Sequence, residues 1–208
     1  MKLGFTSLAN IVNCLKALQH QRDCLLVAID GPGGAGKSTS AHLLKEQLKT
    51  LGWIVSVVKH DDFYRLSHQR ENQQAAVIGG DFDWERLRDQ VLTPLREGHS
   101  AHYQRYDWET DVLAEWRTIS ASDVVLVEGV YTMRRELTHL YDLKIWVECP
   151  RAIRLARGIA RDGEKARTIW EQDWMPKEDY YVKTHLPHER ADLFVNGTAS
   201  YLSMSEPN

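Results

Sequence analysis

The chain is expected to adopt an α/β fold, a doubly wound, mainly parallel sheet of five strands with helices on both faces. Three observations carry that expectation. Short apolar runs alternate with amphipathic helical patterns along most of the sequence. The runs are apolar at consecutive positions, as in a sheet covered on both faces. A chain of 208 residues with 43% hydrophobic content can bury one sizeable core and not two, so residues 1–208 read as one domain.

The elements follow in order. Leu8, Ile11, Val12, Leu15 and Leu18 fall at helical spacing with Thr6 or Ser7 available as a cap, so residues 1–23 form an amphipathic helical extension that packs on the domain. Strands are expected at 25–30, 54–58, 124–128, 143–147 and 193–195, and helices at 38–51, 84–96, 151–161 and about 168–183. Polar and apolar residues alternate from Ala101 to Trp116, which predicts a short hairpin over about 101–118.

Composition narrows the function classes. A net charge of −3 gives no reason to expect nucleic acid or an anionic lipid surface as partner. Cys14, Cys24 and Cys149 are odd in number and unrelated in spacing, which argues against a disulfide framework and a zinc site and fits a reducing cytoplasm. The apolar runs are shorter than a bilayer span and the first residues show no signal-peptide pattern, so a soluble protein is expected. A homo-oligomer is left open.

Gly31-Pro32-Gly33-Gly34-Ala35-Gly36-Lys37-Ser38 satisfies G-x-x-x-x-G-K-[ST] between an expected strand and an expected helix. Small residues let successive backbone N–H groups curl around phosphate oxygens, and the positive helix end adds to the field there. Lys37 then reaches the β and γ phosphates, Ser38 is the expected ligand of Mg²⁺, and Thr39 backs the α-phosphate. The fold is therefore that of a P-loop NTPase, with ATP and Mg²⁺ as expected cofactors.

Two acidic sites follow. His60-Asp61-Asp62-Phe63-Tyr64 ends the second strand at the carboxyl edge, where open α/β sheets bind ligands, and Asp61 is the candidate to orient an acceptor hydroxyl and take its proton. The alternative is a solvated acidic pair, or Asp62 capping a helix. Val124–Glu128 reads as a buried strand ending in an acid, with Glu128 holding Mg²⁺ directly or through water.

In sum the chain resembles the uridine kinase and phosphoribulokinase family. The residues that carry the resemblance are Gly31 to Thr39, Asp61 to Tyr64, Phe82-Asp83, Tyr106-Asp107, Val124 to Gly129 and the arginines from Arg154 to Arg161, over about 25–197. The resemblance implies that Asp61 is the base, Asp83 accepts a ribose hydroxyl, Tyr106 lies beside the acceptor ring and Arg161 clamps phosphate. The residues themselves further place Arg157 on the nucleotide side and Tyr64 and Gln172 on the acceptor side, and the segment of about 158–170 reads as a lid. Arg154, Arg157 and Arg161 would share one helix face. The implied activity is transfer of the γ-phosphoryl of ATP to a small hydroxylated acceptor, a nucleoside 5′-hydroxyl first.

Departures narrow the acceptor. Uridine kinases usually carry a pyrimidine-reading histidine where this chain has Asp111, and consecutive arginines where it has Arg157-Gly158, with a longer lid. Tyr64, Trp84, Tyr103, Tyr106, Trp108 and Trp116 instead crowd the expected acceptor region. Nicotinamide riboside, pantothenate and sugar-phosphate acceptors stay open, as does a non-catalytic ATP-binding regulatory protein. A GTPase switch is disfavoured because no Asn-Lys-x-Asp segment occurs.

Overall fold

A computed structural model describes residues 4–71, 78–120 and 122–198. Five parallel strands, β1 (Leu25–Asp30), β2 (Val55–Lys59), β5 (Val124–Glu128), β6 (Leu143–Glu148) and β7 (Leu193–Asn196), form one sheet in the order β2-β5-β1-β6-β7. From β1 the chain goes to the edge at β2, returns to β5 beside β1, then crosses to β6 and β7 on the other side. That reversal opens a crevice at the carboxyl ends of β1 and β5.

Every residue of β1 and β5 is buried, which explains their uninterrupted apolar reading. Leu25, Val27 and Ile29 pack with α1 (Leu8–Gln19) and α2 (Lys37–Thr50), through Ile11, Val12, Leu15, Leu44 and Leu48. Leu26 and Ala28 point to the opposite face, against Leu87, Val91 and Leu92 of helical residues 84–96 (α3) and against Met133 and Leu137. The cap of α1 is Ser7, whose side chain accepts the Asn10 N–H at 3.2 Å, while the Thr6 N–H donates to Phe194 O at 2.7 Å and so extends the edge at β7.

Two helices are less regular than their periodicity predicts. In α3 a π-helical turn, Arg88–Leu92, separates Trp84–Leu87 from Thr93–Arg96. After α4 (Arg151–Asp162) and a short turn, helical residues 167–185 (α5) contain another π turn, Trp170–Trp174. A wide turn shifts the phase of a helix face without changing its composition.

The antiparallel hairpin of β3 (Ala101–Asp107) and β4 (Val112–Ile119) stands beside the sheet. Its register shifts between Gln104 and Tyr106, so Ala101, Tyr103 and Tyr106 are all buried although strict alternation would turn Tyr106 outward. Asp62 anchors the hairpin: buried, it accepts the Tyr103 hydroxyl at 3.1 Å and Arg117 Nη1 at 3.0 Å. It is thus neither a solvated acid nor a helix cap. Among the described residues no helix is long and apolar enough to cross a membrane.

Candidate active site

A cavity of about 580 Å³ opens at the carboxyl edge of the sheet. Its floor is the loop between β1 and α2, from which Gly33, Gly34, Gly36, Lys37, Ser38 and Thr39 line the space. Gly34 has φ +74°, and a Cβ there would sit 2.5 Å from Arg154 O, so the loop can lie against α4 only with glycine at that point. Gly31 and Ala35 do not line the cavity; the Ala35 N–H closes the turn by donating to Pro32 O at 3.1 Å.

Lys37 is buried, and its ammonium donates to Pro32 O at 3.0 Å, which holds the charge over the loop. The Ser38 hydroxyl lies 3.0 Å and 3.1 Å from the two oxygens of Glu128. Burial pushes the Glu128 carboxyl above its ordinary value, and the nearby Lys37 charge opposes that shift. Hydroxyl and carboxylate together are hard oxygen donors of the kind Mg²⁺ takes, with phosphates and water completing its shell. Among the described residues no group of three or more His, Cys, Asp or Glu forms a cation cage.

Asp61 lines the same cavity and is exposed to it. Glu128 and Arg161 line that cavity too, and both lie within reach of the negative charge of Asp61. The neighbouring His60 is no rival base. It is fully buried, Nδ1–H donates to Val130 O at 2.7 Å, and burial pushes its pKa down to about 4.

The arginines of α4 divide the work that their spacing suggested they would share. Arg161 lines the cavity, paired with Asp162 at 2.7 Å and lying 5.7 Å over the Trp170 ring. Arg157 also lines it and ties the loop to the end of β7, donating to Gly34 O at 3.3 Å and Gly197 O at 2.8 Å. Arg154 is buried outside the cavity, paired with Glu178 at 3.2 Å. Gly158 stands where a second arginine was expected because the Trp170 indole covers it: a Cβ would meet Trp170 Cε2 at 2.5 Å. The stretch from Gly158 to Trp170 therefore turns at Gly163 and comes back onto α4.

The acceptor side differs from expectation in several places. Tyr64 lines the cavity with Phe82 and Trp108, and Trp108 packs 4.3 Å from Tyr64 between ring centroids. Tyr106 does not line it; buried behind these rings, its hydroxyl donates to Asp111 at 2.8 Å. Asp111 also accepts the Ser67 N–H at 3.1 Å and the Ser67 hydroxyl, so this acid fastens the hairpin tip rather than facing an acceptor. Asp83 is likewise outside the lining: it caps α3 through the Arg86 N–H at 3.1 Å and pairs with Arg65 at 3.1 Å. Gln172 is exposed and does not line the cavity; Trp170, Trp174, Lys177 and Glu178, which share one face of α5, line it instead.

Two carboxylates escaped the sequence reading. Asp30, fully buried, accepts the Gly31 N–H at 2.6 Å, the Met133 N–H at 2.8 Å and the Tyr181 hydroxyl at 2.6 Å. An acid closing an apolar strand was its available signal. Glu178 accepts the Gly33 N–H at 3.0 Å, from 145 residues along the chain, and had no local signal at all.

Residues 26–199 match the phosphoribulokinase / uridine kinase family. The chain belongs to that family. It is therefore a kinase, a phosphotransferase with an alcohol acceptor. Its relatives include a uridine-cytidine kinase-like 1 from Mus musculus, 30% identical in an alignment that covers 72% of this chain and 28% of the mouse protein. A uridine kinase from Ureaplasma parvum is 29% identical over 76% of this chain and 82% of its own length, and one from Clostridium novyi 30% identical over 70% and 72%. Among solved structures, that of a possible uridine kinase from Bacillus stearothermophilus superposes with a TM-score of 0.68 at 26% identity, covering 90% of this chain and all (100%) of that one. Family membership and fold thus agree on a P-loop kinase.

Proposed function

We propose that the protein is an ATP-dependent small-molecule kinase that transfers the γ-phosphoryl group to the 5′-hydroxyl of a nucleoside. The observation that supports phosphoryl transfer is that one cavity is lined both by Lys37 with the Ser38–Glu128 pair and by the exposed Asp61. Phosphate charge and a proton acceptor for the incoming hydroxyl then share a single space, as in-line transfer requires.

In this reading the loop amides and Lys37 bind and neutralise the polyphosphate. Ser38 and Glu128 would hold Mg²⁺, which supplies further positive charge when bound. Asp61 orients the acceptor hydroxyl and takes its proton as the new O–P bond forms and the β–γ bridging P–O bond breaks, leaving ADP. Arg161, at the rim, offsets charge on the transferring group. Trp170 and Trp174 exclude water from that corner, which limits transfer to water. Tyr64 and Trp108 offer flat faces for an acceptor ring.

A second reading within the same chemistry is favoured by Asp111. Because that acid is engaged by Tyr106 and Ser67, nothing at this position reads a pyrimidine edge, and the acceptor is then another hydroxylated molecule such as nicotinamide riboside, pantothenate or a sugar phosphate. The test is incubation with Mg-ATP and a panel of nucleosides, vitamins and sugar phosphates, with new phosphomonoesters detected by mass. A nucleoside monophosphate is the expected product; a product only from other acceptors selects the second reading, and none with any acceptor refutes both.

A further inference from the structure

Helix α5 meets the phosphate loop along its inner face. Glu178 is buried there with both oxygens engaged, Oε1 by the Gly33 N–H at 3.0 Å and Oε2 by Arg154 Nη1 at 3.2 Å. One turn on, the Tyr181 hydroxyl reaches Asp30, which also holds the Gly31 N–H. The preceding residue, Lys177, pairs with Asp81 on the acceptor side at 3.1 Å. Two alternate amides at the start of the loop are thus held by carboxylates, and each carboxylate belongs to α5 or is bonded to it.

The loop needs such a hold. Gly33 and Gly34 adjoin, and glycine gives up more backbone freedom on ordering than any other residue. A cradle of amides favours phosphate strongly only when its dipoles are already aimed before the ligand arrives. The Gly-rich motif makes the curl accessible, but it contains no side chain that fixes Gly33.

We propose that Glu178 is a positioning residue of the phosphoryl-transfer site, holding the Gly33 amide so that the phosphate loop and α5 form one unit with its dipoles preset for polyphosphate. The inference rests on the nucleotide-binding reading above. Glu178 acts through the loop and touches no reacting atom. Its Arg154 partner makes the pair neutral overall, so the carboxylate can sit beside a polyphosphate without presenting an uncompensated negative charge.

The test uses the full chain and Mg-ADP as probe, titrated by calorimetry, with thermal unfolding measured in parallel without nucleotide. Glu178→Ala is expected to weaken Mg-ADP by about tenfold or more, the scale of a hydrogen bond to a charged group. Glu178→Gln keeps an oxygen for Gly33 and should restore affinity to within about threefold of wild type, a rescue that a purely structural role would not require. Where Glu178→Ala does not fold, Glu178→Asp serves instead. It keeps the charge for Arg154 but is too short for Gly33, and should lose affinity by the same about tenfold. Unchanged affinity in the Ala or Asp variant, whatever its melting temperature, would overturn the proposal. So would tighter binding, which would make the carboxylate a competitor of phosphate. Absence of Mg-ADP binding by the wild-type protein would instead remove the nucleotide reading itself, and this proposal with it.

Discussion

Replacing Asp30 with asparagine probes how the phosphate loop is tied to the sheet, and its effect can be worked out in sign and size. Asp30 is fully buried at the end of β1 and accepts hydrogen bonds from Gly31, Met133 and Tyr181. Burial outweighs those bonds and pushes its carboxyl from the ordinary 3.8 up to about 6. An acid raised in this way holds its proton more tightly in the folded chain than in the unfolded one. Its contribution to stability is therefore complete below about 3.8 and is lost as pH rises through about 6. Between about pH 4 and about pH 7 the loss amounts to about 2 kcal/mol by proton linkage. Asparagine cannot titrate, and whatever its amide costs by facing N–H and O–H donors is the same at every pH. The difference between wild type and Asp30→Asn across pH thus isolates the one carboxyl. Urea unfolding of both proteins from about pH 4 to about pH 7 should show the wild-type advantage shrinking by about 2 kcal/mol. A difference that stays constant over that range would refute burial as the dominant influence on Asp30.

Three further outcomes are expected. Asp61→Asn should keep Mg-ATP affinity while lowering turnover with a verified acceptor by about a hundredfold or more, read from steady-state kinetics; unchanged turnover rejects Asp61 as base. Gly158→Ala places a Cβ 2.5 Å from the Trp170 ring and should destabilise the protein by about 1–3 kcal/mol in thermal or urea unfolding, with Gly158→Ala/Trp170→Leu recovering part of the loss. Arg117→Met leaves the buried Asp62 with the Tyr103 hydroxyl alone, and because the arginine is half-exposed the expected cost is about 1–2 kcal/mol; a neutral result would mean that the pair does not anchor the hairpin.

Much of the fold was legible because its signals are local. The buried strands Leu25–Asp30 and Val124–Glu128 are continuous apolar runs whose backbone conformation and burial on both faces go together. The loop motif encodes its own curl through glycines, and Lys37 and Ser38 follow it at fixed spacing. Glu128 ends β5 and Asp61 lies in the helical turn just after β2, so the direction of a parallel sheet brings both to the edge where the loop lies. The same logic failed where an element's phase or partner decided the outcome. The phase of α5 turns the face carrying Trp170 and Trp174, not Gln172, to the cavity. A register shift buried Tyr106, and a helix start claimed Asp83.

The amino-acid sequence by itself determined a parallel sheet, a phosphate nest at its edge and the two acids that the strands deliver there, since each is written in neighbouring residues. Only the tertiary structure decided that Glu178 holds Gly33, that Asp30 binds Tyr181 and that Asp111 fastens the hairpin. Those bonds join residues far apart in the chain, and a buried polar atom takes its partner from whatever packing brings within reach.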